Sequence, residues 1–142
     1  MKDFYATFTA DGTANGLANT PADFSVPVPW LRALKGRWEC ALVEISFDCD
    51  FLPKSDRLYL CCDAVEHSFI NARQIQLVRN VEIRERYKKY LSETYQNPRY
   101  STFLSGWREY VRLYCLDANL KPVEFDSSKL HCVLHFRIKN EQ

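Results

Sequence analysis

Apolar and polar residues alternate at a period of two in several stretches of this chain, the pattern of a strand with one face buried and one exposed. It is clearest from Leu130 to Ile138, where Leu130, Cys132, Leu134, Phe136 and Ile138 share one face. Lys129, His131, His135 and Arg137 share the other, with Val133 as the one apolar exception. From Trp107 to Leu116, Val111, Leu113 and Cys115 oppose Arg108, Tyr110, Arg112 and Tyr114. The residues between the two runs, from Asp117 to Pro122, suit a turn, which predicts that these strands pair antiparallel. Further strands are predicted at Arg37 to Phe47, Arg57 to Val65 and Arg73 to Arg79, with short ones at Asp3 to Thr9 and Phe24 to Val28. The Gly-, Ala- and Asn-rich stretch from Ala10 to Ala22 reads as a flexible loop or arm.

One segment has a different rhythm. Ile83, Tyr87, Leu91 and Tyr95 are spaced four apart, so Glu82 to Leu91 reads as either a short surface helix or a charged connection, followed by an extended stretch from Thr94 to Phe103 around Pro98. Seven or eight short strands with little helix describe an all-β protein, a two-sheet sandwich or a barrel. At 142 residues the chain fits one domain spanning 1–142.

Composition adds two constraints. Hydrophobic residues make up 46% and charged residues 26%, a globular balance, and the 14% of aromatics suits pleated surfaces. The formal net charge is +1, with basic and acidic residues interspersed, so no global field draws the chain to nucleic acid or an anionic membrane. No apolar run reaches the length of a signal peptide or a membrane span, which predicts a protein made and kept in the cytosol or nucleus, not secreted. In that compartment the six cysteines (Cys40, Cys49, Cys61, Cys62, Cys115 and Cys132) are expected as free thiols. Four of them fall in runs that read as strands, where a thiol packs as a small hydrophobe.

The residues offer little chemistry, and no catalytic, cofactor-binding or metal-ligating set is assigned. His131 and His135 would stand about 13 Å apart along a strand at ~3.3 Å per residue, too far to share an ion. Cys61 and Cys62 point to opposite faces of a strand, and no Cys-x2-Cys pair exists. Cys49 lies between Asp48 and Asp50, whose charges raise a thiol's pKa and make it a poorer nucleophile. Asp48, Asp50, Asp56 and Asp63 lack the spacing of a calcium loop. The four glycines form neither a phosphate-binding loop nor a dinucleotide fingerprint. Arg84, Arg86, Lys88 and Lys89, with Tyr87 and Tyr90 nearby, are interrupted by Glu82, Glu85 and Glu93 and read as a solvated mixed-charge face. Tyr, Arg and Glu on the outward faces suit protein contact as well as plain solvent. Trp30, Trp38 and Trp107, taken as exposed, keep open a lectin-like or receptor-binding sandwich.

The strands and their order carry a resemblance. Residues 36–45 (GRWECALVEI), 58–66 (LYLCCDAVE), 111–117 (VRLYCLD), 121–125 (KPVEF) and 134–137 (LHFR), after an opening DFY at 3–5, resemble the short jelly-roll protein of Polinton (Maverick) elements and adintoviruses. The chain departs from that pattern in its cysteine content and in the stretch Glu82 to Leu91. The resemblance implies a single jelly-roll β-sandwich of about eight antiparallel strands. It also implies a penton-like minor capsid protein of the virion, forming a pentamer with itself at capsid vertices beside a double jelly-roll major capsid protein. On that reading there is no cofactor, no direct nucleic-acid contact and no membrane span.

Overall fold

The computed structural model describes residues 3–10, 19–20, 22–48, 56–83, 90–104, 106, 108–123 and 129–139. Among the described residues twelve strands are formed: β1 (Asp3–Ala10), β2 (Asn19–Thr20), β3 (Asp23–Pro27), β4 (Trp38–Asp48), β5 (Arg57–Cys62), β6 (Ser68–Ile70), β7 (Arg73–Ile75), β8 (Leu77–Glu82), β9 (Tyr90–Thr94), β10 (Ser101–Phe103), β11 (Tyr110–Leu116) and β12 (Leu130–Ile138). The only helical element among the described residues is a 3₁₀ turn at Pro29–Ala33, opened by a proline whose missing N–H costs nothing there.

Pairing shows what kind of sandwich this is. The outermost strands of the chain pair with each other, β1 with β12; moving inward, β3 pairs with β11, β4 with β9 and β10, and β5 with β8. The chain is thus one long antiparallel ribbon. It is rolled so that successive pairs fall alternately into two sheets, sealed by β12 against β4 and β11 against β5. Sheet A has the order β1-β12-β4, with β10 and β9 end to end along β4, and sheet B the order β2-β3-β11-β5-β8. A rolled ribbon of eight principal strands in two sheets is a single jelly roll.

The core lies between the sheets and is built from the alternating positions. Phe8, Phe24, Leu42, Ile45, Phe47, Leu58, Leu60, Leu113, Leu134 and Phe136 are all at or near zero exposure. At one end an aromatic cluster closes the stack: Phe4 lies flat on Phe136 at 5.0 Å between centroids, with Phe103 and Trp30 edge-on to Phe136 at 5.0 and 5.5 Å. Trp30 comes from the 3₁₀ turn, which therefore serves as a lid on that end.

Two irregularities explain breaks in the sequence pattern. In β4 the residues that enter the core between the sheets run Trp38, Cys40, Leu42 and then Ile45, Phe47, a change of phase by one residue. The partner register steps from Leu134↔Leu42 to Val133↔Glu44, so Val43 is the extra residue of a bulge. Its carbonyl instead accepts the Tyr95 N–H at 2.9 Å. In β5 every residue from Leu58 to Cys62 is buried, because the outward Tyr59 and Cys61 are covered by the small β6–β7 hairpin and form a second cluster with Ile75, Leu116 and Leu120. The hairpin turns at Asn71, whose φ of 54° suits a residue tolerant of the left-handed region.

Several expectations are corrected. β11 and β12 are not a hairpin: they lie in opposite sheets and face each other across the core. The turn at Asp117 does form, but Pro122 bridges back to Leu116 and the Val123 N–H donates to the Cys115 carbonyl, so the return segment stays on sheet B. The single strand expected over Arg73 to Arg79 is two, split at Gln76, whose side-chain amide donates to the Asp63 and Val65 carbonyls at 2.9 and 3.0 Å. The strand from Arg57 stops at Cys62 instead of Val65. Within the stretch Ala10 to Ala22, Asn19–Thr20 pairs with β3, while 11–18 and 21 lie outside the described residues. The helix-or-connection segment is flanked by strands, Glu82 ending β8 and Leu91 lying in β9; its middle, 84–89, lies outside the described residues.

Candidate interaction surfaces

The chemistry-bearing residues distribute over the two outer faces and one flank of the sandwich. On the outer face of sheet A, His135 is the one buried polar residue among the described ones, at 9% exposure. Its Nδ1 lies 2.7 Å from the Tyr100 hydroxyl and its Nε2 2.9 Å from an Asp3 carboxylate oxygen. A neutral ring meets both demands, accepting from the tyrosine and donating to the carboxylate. Tyr5 covers the ring at 4.6 Å between centroids. Beside it Arg137 stacks over Tyr100 at 3.4 Å and donates to Glu39 at 2.7 Å. The register Asp3↔Arg137↔Glu39 explains the row: alternate residues of three adjacent strands stand in line on one face. Each polar side chain in this patch bonds to at least one neighbour, which makes it a fastening between β1, β12 and the segment before β10. Acid, base and nucleophile do not converge on an open cleft there.

His131 lies on the same face four residues away and is bonded to Thr9 at 3.3 Å; the two histidines do not meet. No group of three or more His, Cys, Asp or Glu capable of holding a metal ion gathers among the described residues. Asp56 and Asp63 stand at opposite ends of β5. Asp56 contacts Arg57, whereas Asp63 accepts from the Arg112 backbone and pairs with Arg108 at 3.3 Å. The side chain of Asp48, and the whole of Cys49 and Asp50, lie outside the description. So do Arg84 to Lys89 of the basic run, while Tyr90 is exposed. On sheet B, Arg112 grips Asp23 with two nitrogens at 2.8 and 2.7 Å and lies over Tyr114, tying β3 to β11.

The five described cysteines are free and buried. Burial is the largest cause in each case and pushes every thiol up from its ordinary value, Cys61 and Cys62 to about 12. Such thiols stay protonated and act as core side chains. The tryptophans expected to be exposed are not: Trp38 is buried, its indole N–H donating to the Lys35 carbonyl at 3.1 Å, and Trp30 is half-buried in the aromatic cluster. Trp107 lies outside the described residues.

The flanks differ. On one, the segment Ala64 to Glu66 lies against β10, with a bridge from Val65 to Phe103, and Arg79 stacks on Tyr95 at 3.9 Å, so most of that side is closed. On the other, β1 ends sheet A with no strand on its outer edge among the described residues. Between that edge and the end of β3 with the 3₁₀ turn runs an open, mainly apolar groove of about 380 Å³, lined by Phe4, Phe8, Val26, Trp30, Ala33 and Leu34 among others. This groove escaped the sequence reading because it is made by two segments that alternation does not connect. Across the described residues no helix is long and apolar enough to cross a membrane. Comparison of the chain with models of known protein families and with curated proteins finds no match.

Proposed function

We propose that this chain is a structural virion protein: a penton-like minor capsid protein of a Polinton-like or adintovirus-like DNA virus, whose copies assemble, as pentamers, at capsid vertices beside a double jelly-roll major capsid protein. The observation that carries the reading is the rolled-ribbon topology in a chain of 142 residues, together with the ordered strand sequences that resemble that family. A net charge of +1 favours contacts to protein over packaged genome. The polar networks on both outer faces are closed on themselves, which suits a rigid building block that performs no reaction. A cyclic ring joins unlike patches of neighbouring copies, and the two sheets present unlike outer faces, one carrying the His135 network and the other the Arg112–Asp23 pair.

The test is assembly. Light scattering of the purified protein and electron microscopy of shells formed on co-expression with a double jelly-roll major capsid protein of such a virus should show an oligomer and density at the fivefold positions. A protein that stays monomeric at every concentration and is left out of those shells refutes the proposal.

A further inference from the structure

We infer that the groove along β1 is a docking site for an extended peptide segment of another protein chain, taken up as an added strand with large apolar side chains at every second position. Three observations lead there. The first is the edge of β1, unpaired among the described residues: in an antiparallel pair, alternate residues of an edge strand point their N–H and C=O groups away from the partner, and β1 offers eight residues of such an edge. Natural edges are blunted by lysine, proline, bulges or short length, yet from Tyr5 to Ala10 β1 has none of these and pairs with β12 without a break.

The second observation is the groove beside that edge. A strand laid on β1 sends alternate side chains into the space walled by Val26, Trp30, Ala33 and Leu34, so main-chain bonds supply binding and the groove supplies selection. The third is size. Eight residues at about 3.3 Å span about 26 Å, and the sheets are roughly 10 Å apart, which gives a footprint of roughly 260 Å². A stable contact between folded proteins takes about 800 Å² per partner, so this strip suits a linear segment and is too small for a second sandwich.

The side chains argue the same way. Inward residues of a second copy's strands, such as Phe8 and Leu134, are already spent on that copy's own core, whereas a free segment has its apolar side chains to give. Nor does this chain supply the segment from its undescribed internal stretches: 11–18 (DGTANGLA), 49–55 (CDFLPKS), 84–89 (RERYKK) and 124–128 (EFDSS) lack alternating large apolar residues. The inference stands whether or not the chain is a vertex protein.

The experiment uses the full chain and a fluorescein-labelled synthetic peptide in which Val and Phe alternate with Thr, beside an isomer with the same residues rearranged so that the apolar ones are contiguous. Anisotropy should show saturable binding of the alternating peptide and little of its isomer, with amide shifts in an NMR titration concentrated on Phe4 to Phe8. Ala33→Arg, an exposed position on the groove wall, should weaken binding about tenfold while leaving the far-ultraviolet circular dichroism unchanged. Equal binding of both peptides, no binding, or full binding by the Ala33→Arg protein overturns the inference. So does a concentration-dependent dimer of the peptide-free chain that Ala33→Arg abolishes, because the groove then belongs to a second copy.

Discussion

The buried thiols set an alkaline limit on this fold. Cys40, Cys61, Cys62, Cys115 and Cys132 have pKa values raised by burial, Cys61 and Cys62 to about 12 against an ordinary 9.0. In the unfolded chain the same thiols ionise near their ordinary value. As pH passes 9 the unfolded state therefore releases protons that the folded state retains, and stability falls until the folded groups themselves titrate. Below pH 9 the penalty is absent. Each thiol contributes between about 1 and 2 kcal/mol of loss from pH 8 to pH 10, and the five together about 7 kcal/mol. That is comparable to the whole stability of a typical domain, about 5 to 15 kcal/mol. Urea unfolding of the Cys49→Ser protein under reducing conditions, followed by tryptophan fluorescence at pH 8, 9 and 10, should show a steep fall in midpoint. The Cys115→Val/Cys132→Val variant should recover about 3 kcal/mol of the loss. A flat midpoint across this range, or native thiols that react at pH 8 as fast as exposed ones, refutes the reasoning.

Other substitutions have definite expected outcomes. Leu134→Ala, in the middle of the core, should cost about 2 to 5 kcal/mol in urea unfolding, and a cost under 1 would mean the site collapses freely. Gln76→Ala removes the amide donor from the Asp63 and Val65 carbonyls, the first of which keeps the Arg108 guanidinium, and should cost about 1 to 2 kcal/mol, with faster hydrogen exchange across β6 and β7; unchanged exchange would remove the amide from its bracing role. His135→Ala unpartners Asp3 and Tyr100 and should lower protection of the β1 amides more than those of β5, whereas a uniform drop would show only global destabilisation. Leu120 adopts φ 61°, a strain of about 1 to 2 kcal/mol, yet is buried in the outer cluster of sheet B. Leu120→Gly should relieve that strain and lose about 2 kcal/mol of burial, leaving thermal stability close to wild type; a large fall would mean packing outweighs strain.

Alternation revealed the strands wherever one face meets solvent. β12 and β11 read plainly because His131, Arg112 and their neighbours face outward. β5, rich in Leu, Tyr and Cys, is buried on both faces and so carries no alternation, and the hairpin that covers its outer face is formed by residues further along the chain. The phase change at Val43 was written in the sequence but becomes a bulge only when the β12 register is known. Pairing was the least legible level. Proximity suggested a β11–β12 hairpin, while the real partners, β1 and β12, stand more than a hundred residues apart, and their attraction is decided by core packing. The site followed the same rule. His135 was read as an outward residue, and its fastening depends on Asp3 and Tyr100, which no local spacing links to it. Trp30 and Trp38, expected to be exposed, turn inward for separate reasons: the 3₁₀ turn carries Trp30 into the aromatic cluster, and Trp38 opens β4 on its core face.

The placement of β12 between β1 and β4 governs the birth of the molecule. Until residues 130–138 leave the ribosome, sheet A has a missing plank: two apolar strands wait with no ladder between them, and Phe4 has no Phe136 to lie on. Sheet A therefore stays open until β12 is made. A permutant that joins the neighbouring ends of β1 and β12 through a short linker and opens the chain at an exposed loop should remove that wait and fold faster during synthesis.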